Sequence, residues 1–206
     1  MLSNETISTT IKGLSELISQ GTAWEQGIFD SVKTQFESKG SLSPRQQEIL
    51  TKIANNYSQE AIKKRAEWKS MWDERKAEIA RVCAKYYLEN TGYFHSIALD
   101  VLHDPDFIPS LKQYRSMCEN KYASKVLEAY FKEPEFPVGS LAQLRTQAAK
   151  TFLVNNQAMV VIIRDDMPIT SSARGCKRYK VLQVGGSQTF LVEERDLKHI
   201  KKGANK

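Results

Sequence analysis

Cysteine and histidine are scarce in this chain, with three of each among 206 residues. Cys83, Cys118 and Cys176 are odd in number and far apart, which excludes a disulfide scaffold and the paired spacings of a structural zinc site. A reducing compartment and a packing role for the thiols follow. Long apolar runs are missing too. The longest, Met159-Val160-Val161-Ile162-Ile163, falls far short of the roughly 20 residues that a membrane helix needs. The opening Met1-Leu2-Ser3-Asn4-Glu5-Thr6 lacks the basic and apolar regions of a secretion signal. A cytoplasmic protein without membrane association is expected. Gly185-Gly186 has neither G-x-x-x-x-G-K-[ST] nor G-x-G-x-x-G around it, so no glycine-rich nucleotide loop is present.

What the chain does have is apolar content and unevenly placed charge. Hydrophobic residues make up 41%, enough to build a core at this length. The net charge of +6 is concentrated at one end. Residues 1–135 carry 18 Lys/Arg against 19 Asp/Glu, whereas residues 136–206 carry 12 against 5. A basic tail on a nearly neutral body points to an anionic partner, most often nucleic acid, with a solvated basic surface as the plain alternative.

The first two-thirds carry helical periodicity. Trp24, Ile28, Val32 and Phe36 recur every four residues, which predicts one apolar helix face. Gly40 ends that helix. Ser43, Pro44 and Gln46 then form an S-x-x-Q capping box with proline at the first helical position, ahead of the stripe Ile49, Leu50 and Ile53. The pattern from Ser58 to Glu89 predicts a single charged helix roughly 45 Å long at 1.5 Å per residue. Its Glu60–Lys64 type of spacing is that of a solvated face. Gly92 suits a left-handed stop. A shorter helix through Ile97, Val101 and Leu102 follows, and Ser110 then caps a helix whose stripe Leu111, Tyr114, Cys118, Tyr122 and Val126 runs towards Tyr130. Lys132-Glu133-Pro134-Glu135-Phe136-Pro137 cannot continue a helix easily. The expected division is therefore a helical domain at 1–133 and a basic module at 134–206.

Beyond the prolines the pattern shortens to β-type runs at Val160 to Ile163, Tyr179 to Val184 and Thr189 to Val192, with Gly185-Gly186 as a hairpin turn. Ser140 to Thr151 suits either a helix or an opening strand. Phe136 to Arg145, followed by Arg178-Tyr179-Lys180-Val181-Leu182 and Glu194-Arg195-Asp196-Leu197-Lys198, resembles a small β-barrel of the Src-homology-3 type, which implies a glycine-led first strand and a short last one. Trp24 to Phe36, Gly40 to Gln46 and Met117 to Ala123 are similar to uncharacterised proteins of tailed bacteriophages. That likeness implies an origin, hence a host-cell cytosol, and not an activity, and it supplies no catalytic residues.

Candidate chemistry is thin. His95, Asp100, His103, Asp104 and Asp106 come nearest to a metal or phosphohydrolase set. The remaining histidine, His199, lies in the basic tail, and Asp104 and Asp106 serve as turn formers around Pro105. Cys118 falls on its own helix's apolar stripe, as a packing thiol does. Trp68 and Trp72 are spaced to share a helix face, as core or as a clamp for bases. The cations Arg164, Arg174, Lys177, Arg178, Lys180, Lys198, Lys201 and Lys202, with Arg195 and the rings of Tyr179 and Phe190 among them, are left as a nucleic-acid-binding set. Strand alternation puts Tyr179 and Val181 on one face and Arg178 and Lys180 on the other.

The expectation is an α+β protein in which four to six helices precede a small β-barrel-like module. It is a non-enzymatic adaptor without catalytic residues, metal or cofactor, docking on nucleic acid or a nucleic-acid machine. The alternative is a protein–protein interaction factor that binds a host or virion protein through the long helix or the barrel groove.

Overall fold

The computed structural model describes residues 2–90, 92–152 and 158–200, and the chain divides into two compact units, Met1–Met71 and Trp72–Lys206. The architecture is α+β.

The first unit contains α1 (Asn4–Leu17), α2 (Ala23–Lys39), α3 (Pro44–Asn56) and α4 (Gln59–Ser70). Ile7, Ile11 and Leu14 of α1 meet Phe29 and Val32 of α2 and Leu50 and Ile53 of α3, with Leu42 and Tyr57 closing the cluster. Burying such side chains contributes about 1.5–3 kcal/mol each. The expected capping box is present: the Ser43 hydroxyl accepts from the Gln46 backbone N–H at 3.3 Å and Gln46 Oε1 accepts from the Ser43 N–H at 2.9 Å. Gly40 takes the left-handed conformation at the end of α2, with φ at 66°. The buried face of α2 is rotated from the expected stripe, since it centres on Phe29 and Val32 while Trp24 stays 66% exposed. Trp24 sits in the first turn of α2, where Glu25 is the side chain that reaches α3, accepting from Asn56 Nδ2 at 3.2 Å, so periodicity overstated the burial of Trp24.

The predicted helix from Ser58 to Glu89 is two helices, α4 and α5 (Glu74–Asn90). The break has a local cause. An Asp73 carboxylate oxygen accepts the Lys76 backbone N–H at 2.8 Å, and a short acceptor that bonds the backbone in this way starts a new helix rather than continuing an old one. Trp68 and Trp72 therefore do not share a helix face. α4 buries none of its residues, and its Glu60–Lys64 and Lys63–Glu67 pairs face solvent.

In the second unit, α6 (His95–His103), α7 (Leu111–Cys118) and α8 (Lys121–Phe131) pack on α5. The core there includes Ala80, Cys83, Ala84 and Tyr87 of α5, Met117 and Cys118 of α7, and Ala123 and Val126 of α8. Trp72 meets Tyr114 edge-on at 5.7 Å. Ser110 caps α7 as expected. The helix does not run on to Tyr130, because Asn120 Oδ1 accepts from the Tyr122 and Ala123 N–H groups and caps α8 afresh. Eight α-helices thus precede the sheet among the described residues, in place of four to six.

The sheet holds β1 (Leu141–Leu144), β2 (Met159–Met167), β3 (Arg178–Gln183), β4 (Thr189–Glu193) and β5 (Leu197–Lys198) in the order β4-β3-β2-β1-β5, all neighbours antiparallel. It is open, with β4 and β5 as edges, and a 3₁₀ turn at Glu194–Asp196 links those two strands. Residues 140–151 supply both elements that the sequence permitted, β1 and then α9 (Thr146–Thr151). Alternation holds: Tyr179 and Val181 are fully buried with Ala142, Leu144, Val160, Ile162, Val192 and Phe136, whereas Lys180 faces outward opposite Leu191. Gly185, with φ at 79°, turns the β3–β4 hairpin.

The expected division at 133/134 falls inside the second unit. The prolines there mark a change from helix to sheet, and side chains on either side of them are bonded across it.

Candidate functional site

The candidate cations have different fates. Arg164, beside a bulge in β2, forks onto Asp166 through bonds of 2.9 and 2.8 Å, which neutralises it. Arg178 opens β3 and donates to the Pro168 carbonyl at 3.2 Å. Arg195 pairs with Glu193. Arg174 in the β2–β3 loop, Lys180 on β3 and Lys198 on β5 have no acidic partner among the described residues. Lys180 lies opposite Arg164 in register and Lys198 opposite Gln143. Lys201 and Lys202 lie outside the described residues.

Lys177 departs most from expectation. It is 8% exposed, and its ammonium donates to the carbonyls of Lys132 at 2.7 Å, Tyr130 at 3.1 Å and Ala129 at 3.5 Å. These are carbonyls at the end of α8, which have no partner within the helix. Lys177 therefore serves as a C-cap from another element, and its three donors are committed within the protein. Burial pushes its pKa below the ordinary lysine value.

Next to it Glu194 is 7% exposed and accepts from Lys132 Nζ at 2.9 Å and from the Tyr179 hydroxyl at 2.8 Å. Burial alone would raise its pKa, but these two bonds and the Lys132 charge hold it below the ordinary carboxylate value. Burial and the same carboxylate push the Tyr179 hydroxyl up.

These groups border a cavity of about 390 Å³ between the end of α8, the loop 172–177 and the 3₁₀ turn. Lys125, Glu128 and Ala129 of α8 and Lys132 form one wall, while Ala173, Arg174 and Cys176 form another. Cys176 is buried, which raises its thiol pKa. Reading the sequence from the basic tail alone misses Lys125, Lys132 and Glu194. The signal for the first two was there, since Lys125, Ala129 and Lys132 are spaced at i, i+4 and i+7 along one helix face.

The aromatic and acidic candidates settle simply. Tyr179 is core, and Phe190 stacks on Phe152 at 4.7 Å. His95 and His103 are the first and last residues of α6, and Asp104 Oδ1 accepts the Asp106 N–H at 3.0 Å as a turn former. No group of three or more His, Cys, Asp or Glu that could hold a metal ion occurs among the described residues. Cys83 and Cys118 are buried neighbours on α5 and α7, and the contact with Cys83 together with burial raises the Cys118 thiol pKa. No described helix is long and apolar enough to cross a membrane. No family model, curated protein or solved structure matches the chain.

Proposed function

We propose that this chain is a non-enzymatic adaptor, of bacteriophage origin by its sequence resemblance, whose basic C-terminal module docks on nucleic acid. The observation that carries the reading is the set Arg174, Lys180 and Lys198, cations of the module without a carboxylate partner among the described residues. Unneutralised cations are the ones that release counterions from a polyanion.

A salt titration of binding to mixed-sequence duplex DNA tests it. Changing Arg174, Lys180 and Lys198 to Ala should flatten the slope of log affinity against log salt by roughly 3 units, at about 0.9 per phosphate contact. Wild type that binds neither DNA nor RNA at low salt overturns the reading.

A second reading, docking on a partner protein, is favoured by Leu141 and Leu191, which stand 49% and 39% exposed on the sheet, with Leu191 opposite Lys180. Recovery of one protein in a pull-down that survives nuclease treatment would support it over the first.

A further inference from the structure

The cavity beside α8 has a charge and a size that docking along a polyanion does not call for. Four cationic residues line it, Lys125, Lys132, Arg174 and Lys177, against the carboxylates Glu128 and Glu194. Of the two carboxylates Glu194 is already engaged twice, by Lys132 and by the Tyr179 hydroxyl. The Lys177 donors are spent on carbonyls, so this residue contributes charge but no further hydrogen bond. Lys125 and Arg174 carry no ion pair among the described residues, and Arg174 lies near enough to Lys132 for the two like charges to repel. Cations held close together without a matching anion form a site that an anion stabilises. The lining carries a surplus of two positive charges, which complements a phosphate monoester, close to a dianion at neutral pH. Arg174 is suited to bidentate contact with phosphoryl oxygens. Ala129, Ala173 and the buried Cys176 give the walls an apolar part. The volume of about 390 Å³ lies within the range of small-molecule sites, about 300–1,000 Å³.

We infer that this cavity binds a phosphate monoester, its phosphoryl group held by Arg174, Lys125 and Lys132 and its body resting on Ala129, Ala173 and Cys176. The monoester has two sources, a free mononucleotide or the 5′-phosphorylated end of an oligonucleotide. The inference shares Arg174 with the docking reading and does not depend on it, because Lys180 and Lys198 lie outside the cavity lining.

Calorimetric titration of the full chain at low salt, with adenosine monophosphate, adenosine, inorganic phosphate, and a short oligonucleotide with and without a 5′-phosphate, tests it. Adenosine monophosphate binding with adenosine at least about tenfold weaker, as expected for loss of charge-assisted hydrogen bonds, identifies a free nucleotide as the source. Preference for the 5′-phosphorylated oligonucleotide over its 5′-hydroxyl form, with weak binding of the mononucleotide, identifies a nucleic-acid end. Arg174→Gln and Lys125→Gln should each weaken the tighter ligand by about tenfold. Both side chains are exposed, so the fold is retained, which an unchanged thermal midpoint checks. Lys180→Ala with Lys198→Ala should leave the adenosine monophosphate affinity, and the ratio between the 5′-phosphorylated and 5′-hydroxyl oligonucleotides, unchanged while flattening the salt slope for duplex DNA, so the two readings fail separately. Three outcomes overturn the inference: none of the phosphates binds at millimolar concentration, adenosine binds as tightly as adenosine monophosphate while neither oligonucleotide is preferred, or the Arg174 and Lys125 variants bind as wild type does.

Discussion

Lys177 and Glu194 are the buried charged side chains among the described residues, and each is held by partners from other elements. A buried charge is tolerated when its hydrogen bonds are made, and removing one partner is costly because the other is left unsatisfied. Glu194 has a folded pKa below its ordinary 4.5, so its ionised form favours the folded state. That contribution is complete above 4.5 and is lost as pH falls through the lower folded value. Glu194→Gln should therefore lose stability at neutral pH, by about 1–2 kcal/mol, since the amide oxygen still accepts from Tyr179 and the half-exposed Lys132 returns to water. It should also shrink the fall in urea midpoint between about pH 5 and about pH 3 that wild type shows. An unchanged acid profile in the variant would assign the acid sensitivity to other carboxylates.

Single elements here are governed by their ends. Ser43→Ala should lower stability by about 1 kcal/mol in urea denaturation, the usual loss when an N-cap oxygen is removed. Gly175, at the end of the β2–β3 loop, has φ at 69°, and a Cβ there would meet the Arg195 Cβ at 2.9 Å. Its carbonyl also accepts the Arg195 N–H at 3.0 Å. Gly175→Ala should cost at least about 1–2 kcal/mol from the left-handed backbone alone, with the clash added, and a variant as stable as wild type would mean that the loop relaxes freely. These ends also explain what could be read from the sequence. Ser43-Pro44-Arg45-Gln46 and Ser110 with Gln113 are local signals, complete within four residues, and they were legible. Asp73 and Asn120 cap equally well, but each lies inside an apolar periodicity that continues across it, so two pairs of helices looked like two single ones. The strand alternation of Tyr179 and Val181 was legible for the opposite reason, because a period of two survives wherever one face is buried.

At the scale of the molecule, the chain divides into its compact units between Met71 and Trp72, a place that neither composition nor charge marks. The change from a neutral body to a basic tail is a property of sequence, whereas compactness depends on which side chains meet, and Lys132, Lys177 and Glu194 meet across the prolines. Limited trypsin digestion should therefore cut near Lys69, in the exposed last turn of α4 beside the unit boundary, before it cuts at Lys132, which Glu194 holds, because exposed chain at a domain boundary is cleaved first. Early cleavage at Lys132 with an intact first 71 residues would contradict this division. The binding set was legible only in part. Arg174, Lys180 and Lys198, proposed from composition, carry no ion pair among the described residues, but Lys177 was taken for a surface cation, since nothing in a sequence distinguishes a lysine that caps a distant helix from one that meets solvent.

That cap bears on how the tail can be handled in the laboratory. A fragment beginning at Pro134 looks like a natural module by charge and by prolines, yet it would leave behind the Ala129, Tyr130 and Lys132 carbonyls that hold Lys177 and the Lys132 ammonium that holds Glu194. Freed of those partners, Lys177 and Glu194 would both turn to solvent, and any polyanion binding by the fragment would reflect groups that the whole chain keeps engaged. A strong signal from such a fragment would then report the truncation rather than the protein.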